Sequence, residues 1–244
     1  AQQRSMEGGA ITACLFDMDG LLLDTESAYT VAQQQICMRF GKDFTWELKA
    51  KMMGKKALEA AQVLVDDLQL HGQLTAEVFL EEREKILDEL FAESRLMPGV
   101  DKLVRHLHRI GCPVAVATSS HRRHFELKTS LHKELFSLFE VIVTGDMVKQ
   151  GKPAPDIFLV ALDQLKQATG RAELEPAKTL VFEDAPSGVD AGLAAGMKVC
   201  QQQLDVHIRV WSLWIVLAHS TTACWESSQA QLHAFPLLMI YTRW

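Results

Sequence analysis

Apolar residues follow two rhythms along the chain. Residues 11–16 (ITACLF), 113–117 (PVAVA), 140–143 (EVIV) and 179–183 (TLVFE) are short, nearly unbroken apolar runs. Such runs, bounded by turn formers, predict strands buried on both faces. Between them the spacing is helical. Val100, Leu103, Val104 and Leu107 repeat along one face, and the stretch stops at Gly111. A helical stretch follows residues 117–120, and residues 156–168 and 187–195 also predict helices. The order βαβαβα implies an α/β fold, a mostly parallel Rossmann-like sheet core covered by helices.

The first strand is separated from the rest by a block of another kind. Residues 25–97 read as helical, with no convincing strand. One helix is predicted over 26–40, ending at Gly41. A second, over 55–70, carries Leu58, Ala61, Leu64, Val65 and Leu68 on one face; a third, over 75–93, can be capped by Thr75. The expected organisation is therefore a core of residues 11–24 plus 98–200, a helical cap of residues 25–97 inserted in it, and a tail of residues 201–244. That tail is atypical. It holds four charged residues, Asp205, Arg209, Glu226 and Arg243, yet four of the five tryptophans, and no clean period runs through it. It opens with three glutamines at 201–203, and this shift in composition would leave an edge of the sheet uncovered.

In an open parallel sheet, ligands bind beyond the carboxyl ends of the strands. The first apolar run hands over to Asp17, Asp19 and Gly20, the second to Thr118, Ser119 and Ser120. The third hands over to Thr144, Gly145 and Asp146, with Lys152 soon after, and the fourth to Glu183 and Asp184. Asp17, Asp19, Glu183 and Asp184 would then share one rim with Lys152. Packed carboxylates repel unless a counter-charge is present. One lysine is too little, and an all-oxygen set suits Mg²⁺, which takes one or two protein carboxylates and completes its shell with water and phosphate. Asp17 and Asp19, two apart at a strand end, face the same side, so one can attack while the other handles protons.

Taken together, FDMDG (16–20), ATSS (117–120), GKPAPD (151–156) and VFEDAPSG (181–188) resemble the four motifs of the haloacid dehalogenase superfamily of phosphohydrolases. The insert resembles that superfamily's small helical cap, which would close over the rim on hinges near residues 23–25 and 96–99. The resemblance implies that Asp17 is the nucleophile and becomes an aspartyl phosphate. Asp19 would protonate the leaving oxygen and then activate water. Thr118, with Ser119 beside it, would bind the phosphoryl oxygens, and Lys152 would pair with Asp17 and the phosphoryl group. Mg²⁺ would sit on Asp17, the Asp19 carbonyl and Asp184, with Glu183 in support. Lys55 and Lys56, at the start of a cap helix, would touch the rest of the substrate. Longer phrases such as FDMDGLLLDTE and HKELFSLF resemble eukaryotic members acting on nucleotides, which implies pseudouridine 5′-phosphate as substrate. A phosphosugar phosphatase and a phosphomutase of the β-phosphoglucomutase type share the motifs and stay open. So does an inactive, poorly folded chain with a non-homologous end.

Other classes fit worse. The net charge of −6, with scattered Lys and Arg, argues against a nucleic-acid partner. No stretch approaches the roughly 20 apolar residues of a membrane helix. The opening AQQRSMEGGA has no apolar core, so no secretory signal is expected, and Met6 is a candidate start. Five scattered cysteines suit a reducing compartment. A cytoplasmic monomer acting on a small phosphate ester is the expectation. MGKK (53–56) lacks the rest of a P-loop, GxSxG is absent, and HRRH (121–124) reads as a solvated helix face.

Overall fold

A computed structural model describes residues 10–53, 55, 57–201 and 239–241. Their contacts divide the chain into two compact units. One runs through Leu23 and resumes at Leu96; the other is Asp24–Arg95.

In the first unit, the apolar runs form β1 (Ala13–Phe16), β4 (Val114–Ala117), β5 (Val141–Val143) and β6 (Thr179–Glu183), followed by β7 (Lys198–Gln201) and β8 (Met239–Tyr241). Short strands β2 (Leu23–Asp24) and β3 (Arg95–Leu96) make a separate two-stranded sheet at the points where the chain passes between units. The main sheet runs β5-β4-β1-β6-β7-β8, parallel except for the last pair. Alternation along β1 sends Cys14 and Phe16 to one face and Ala13 and Leu15 to the other. On the first face they meet Leu103, Val104 and Leu107 of α5 (Val100–Arg109), Phe125 of α6 (Arg122–Lys128) and Phe136 of α7 (Lys133–Phe136). On the second they meet Phe158, Leu162 and Leu165 of α8 (Asp156–Thr169) and Ala191 of α9 (Pro186–Ala194). Both faces are covered, which is why these strands read as unbroken apolar runs rather than alternating ones.

The second unit is helical: α1 (Glu26–Met38), α2 (Trp46–Met52), α3 (Ala57–Asp67) and α4 (Ala76–Phe91). Ile36, Leu48, Leu64, Val65 and Phe79 share its core. Thr75 caps α4 as expected, its side chain accepting from the Val78 amide at 3.3 Å. Thr45 does the same for α2, an element whose separate existence the sequence pattern did not delimit. Two expected ends were too long. The helix predicted over 55–70 closes at Asp67 because Gln69 takes a positive φ of 56° and the Leu70 amide turns back to the Val65 carbonyl. The helix predicted over 26–40 closes at Met38, ahead of Gly41 with φ of 66°.

The sheet edge beyond residue 200 also differs from expectation. Gln201, the first of the three glutamines, completes β7 beside Glu183. The far side of β7 is not bare, since β8 pairs with it in the register Val199↔Tyr241 and Gln201↔Met239. Ladder hydrogen bonds come from the backbone, so a glutamine at the end of β7 still pairs on both sides. Gln202, Gln203 and residues 210–218 lie outside the described residues. Cys14, Cys37, Cys112 and Cys200 are free thiols, and Cys224 is outside the described residues. Among the described residues no helix is long and apolar enough to cross a membrane.

Phe16 anchors the first face of the core. It is 1% exposed, stacks on Phe182 at 4.6 Å between ring centroids and meets Phe139 edge-on at 5.8 Å. Phe16→Ala is expected to cost about 3–5 kcal/mol, read as a lower denaturant midpoint with an unchanged slope.

Candidate active site

The register of β1 and β6 places the first two site residues side by side. Phe16 opposes Phe182, so Asp17 and Glu183 leave adjacent strands together, and the Asp17 amide donates to the Phe182 carbonyl at 3.0 Å. Asp184 follows. Carboxylate oxygens of Asp17, Glu183 and Asp184 lie within 4.8 Å of one another. Two glycines make room for this. Gly20 has a φ of 79°, and a Cβ there would fall 2.4 Å from Asp184 Oδ2. At Gly188, in the first turn of α9, a Cβ would fall 1.8 Å from Glu183 Oε1. The Glu183 carboxylate fills that space and accepts from the amides of Asp184 and Ala185 at 3.0 and 3.2 Å.

Lys152 brings the counter-charge. Its ammonium donates to Asp17 Oδ1 at 2.6 Å, to Glu183 Oε1 at 2.5 Å and to the Ala117 carbonyl at 3.1 Å. Burial pushes the Asp17 carboxyl well above the usual carboxylate range, with Lys152 opposing and Glu183, Asp19 and Asp184 adding to the rise. For Lys152, burial works against the charged form, but Asp17 and Glu183 outweigh it and hold the ammonium above its ordinary value. The surplus of negative charge is what a hard divalent cation relieves, so the three carboxylates fit a Mg²⁺-type ion by charge, donor type and proximity.

Asp19 is turned elsewhere. Its carboxylate accepts from Lys128 Nζ at 2.6 Å, from Ser120 Oγ at 2.8 Å and from Thr118 Oγ1 at 3.3 Å. The side chain of Asp19 is thus outside the three-carboxylate cluster, although its resemblance-implied contribution to a metal was through the backbone carbonyl. Thr118 is fully buried, and its hydroxyl also accepts from the Ser120 amide at 3.0 Å. Ser119 is exposed on the same loop. That loop packs tightly against Gly145, where a Cβ would sit 2.3 Å from the Ser119 carbonyl oxygen.

Lys55 belongs to the other unit and pairs with Glu59 one turn on, at 2.6 Å. Lys56 is outside the described residues. His121, Arg122 and Arg123 of HRRH are exposed, and Asp146 accepts from the Arg122 amide at 3.0 Å. Asp146 thus serves the start of α6 and is not part of the carboxylate cluster. The residue that the sequence reading passed over is Lys128. Its spacing of three from buried Phe125 was the available signal, because both then face inward on α6.

Comparison with known proteins gives the family of the chain. The chain belongs to the haloacid dehalogenase-like hydrolase family, whose model matches residues 11–196. Among its relatives is (DL)-glycerol-3-phosphatase 1, mitochondrial, of Arabidopsis thaliana, 54% identical over 78% of this chain; the chain spans 63% of that relative's length. A Drosophila melanogaster protein named "probable pseudouridine-5′-phosphatase" is 43% identical over 78% of this chain and 80% of its own. Among solved structures, CbbY of Rhodobacter sphaeroides in complex with xylulose-1,5-bisphosphate superposes with a TM-score of 0.59 at 25% identity, over 79% of this chain and 86% of its own. The enzyme class that the family and these named phosphatases support is a phosphoric monoester hydrolase.

Gly188→Ala should drive the Glu183 carboxylate off Lys152. The expected outcome is a loss of about 1–3 kcal/mol in denaturant unfolding and a fall of about 100-fold in phosphatase kcat.

Proposed function

We propose that the chain hydrolyses small phosphate monoesters through an aspartyl phosphate on Asp17. The observation that carries this reading is the cluster itself: a buried carboxylate beside a buried lysine at 2.6 Å, with a second aspartate two residues on and three hydroxyl or ammonium donors around it. Asp17 attacks phosphorus and the ester P–O bond breaks. The leaving oxygen takes its proton from Asp19. Water then attacks the phosphorus of the acyl phosphate, Asp19 accepts a proton, and the bond to Asp17 breaks to release inorganic phosphate. Lys152 stays paired with Asp17 and Glu183 and offsets charge as the phosphoryl group passes; Thr118 and the Ser119 loop meet its oxygens. Asp17, Glu183 and Asp184 would hold Mg²⁺, which when bound would supply further neutralisation of the phosphoryl oxygens.

The substrate class follows from what the relatives are named for. Glycerol 3-phosphate, pseudouridine 5′-phosphate and xylulose 1,5-bisphosphate all carry phosphate on a primary carbon of a small polyol, sugar or nucleoside. A primary alkyl phosphate of a polyol or nucleoside is therefore the substrate class we infer. Within it two candidates compete. Pseudouridine 5′-phosphate is the reading drawn from the sequence and matches the name of the Drosophila relative. Glycerol 3-phosphate has the higher identity behind it, 54% against 43%, and we place it first.

A phosphate-release screen over polyol, sugar and nucleoside phosphates is expected to show turnover concentrated on primary esters; activity confined to secondary or aryl esters would refute the substrate class. Asp17→Asn should leave less than about 1% of the turnover with a cooperative melt retained. Chelation should stop hydrolysis and added Mg²⁺ restore it; full activity in chelator would refute the metal site.

A further inference from the structure

Lys128 is the charged side chain whose place the site reading leaves unexplained. It closes α6, yet it is only 1% exposed and ranks among the largest fully buried side chains of the molecule. Its ammonium reaches Asp19 Oδ1 at 2.6 Å and Ser120 Oγ at 2.9 Å, and the Ser120 hydroxyl donates in turn to Asp19 Oδ2 at 2.8 Å. The three groups close a ring of hydrogen bonds in which both oxygens of Asp19 are engaged. Lys152, by contrast, donates to Asp17, Glu183 and the Ala117 carbonyl. Each aspartate of the FDMDG stretch thus has its own lysine.

We propose that Lys128 is a positioning residue for Asp19, fixing with Ser120 the orientation of the carboxylate that moves protons in the reaction. The inference rests on the acid–base reading of Asp19 given above. Its physical basis is reciprocal restraint. A carboxylate at a strand end has free rotation about two side-chain bonds, and proton transfer needs it within hydrogen-bond reach of the reacting oxygen. Swinging Asp19 out of the ring would take from a buried ammonium the carboxylate it faces at 2.6 Å, which is unfavourable. The side chain of Asp19 is 28% exposed against 1% for Lys128, so the lysine sits behind the carboxylate and leaves a face of it open. Lys128 accordingly acts through Asp19 and makes no contact with substrate. Thr118, which touches Asp19 at 3.3 Å, links this ring to the phosphoryl-binding loop.

The test uses the leaving group. An alkyl alkoxide must be protonated as it departs, whereas p-nitrophenolate leaves without help. kcat/KM reports the steps up to phosphoryl transfer, so loss of a proton donor should affect the two esters unequally. Three variants of the chain, Asp19→Asn, Lys128→Met and Ser120→Ala, are compared on p-nitrophenyl phosphate and on glycerol 3-phosphate, or pseudouridine 5′-phosphate if that is turned over faster. Asp19→Asn tests the underlying reading: a fall confined to the alkyl ester upholds it, and an equal fall on both esters refutes it. Lys128→Met is expected to lower kcat/KM on the alkyl ester about 10- to 100-fold and on the aryl ester less than about threefold, with KM little changed. With the Asp19→Asn contrast present, an equal fall on both esters for Lys128→Met, or no fall, overturns the positioning role alone. If Lys128→Met does not fold by circular dichroism, Ser120→Ala decides. It removes one member of the ring without stranding a charge, and the same contrast at smaller size supports the proposal while its absence overturns it.

Discussion

The arrangement of the site depends on one buried ammonium group. Lys152 Nζ has three hydrogens and three acceptors: a carboxylate oxygen from the end of β1, one from the end of β6, and the carbonyl of Ala117 at the end of β4. Three neighbouring strands are therefore joined at their carboxyl ends by a single charged group that is 6% exposed. A buried ion pair of this kind contributes little net stability, since desolvating its members costs about what their attraction returns. Its effect is positional. Asp17 and Glu183 cannot move independently without leaving one charge in the core unmatched.

From that constraint the charge pattern of the rim follows. One lysine against three clustered carboxylates leaves the cluster over-negative, and burial raises the difficulty of keeping Asp17 ionised. A site so poised favours a cation and, with it, an anionic oxygen-rich ligand. Asp19 is kept out of this cluster by a second set of donors on α6 and the Thr118 loop. The two aspartates are close in sequence but held by different lysines, an arrangement that in the proposed mechanism suits one to attack and the other to shuttle protons.

The sheet and its helices were legible because their signals are local. Unbroken apolar runs marked β1, β4, β5 and β6, and Thr75 and Gly111 marked helix ends through capping and positive φ. The carboxylates, Thr118 and Lys152 were legible for a related reason: each follows a strand directly or lies in a short loop after one, and a parallel sheet brings such positions together. Lys128 escaped because its spacing from Phe125 marks a shared helix face but does not by itself tell a buried lysine from one that reaches solvent at a helix end. Its burial is set by Asp19, 109 residues away in sequence. β8 escaped for the same kind of reason, since antiparallel pairing with Val199–Gln201 depends on a partner strand and not on its own period.

By itself, then, the sequence determined which residue types stand at the strand ends and in what order, because the alternation of apolar runs and turns is a property of the chain. It did not determine which charge faces which. That Lys152 serves Asp17 and Glu183 while Lys128 serves Asp19, and that Lys55 is spent on Glu59, was decided only by tertiary structure. Pairing of buried charges depends on distances of a few ångströms between segments far apart in the chain, and Coulomb energies at such distances vary too steeply for any sequence pattern to encode them.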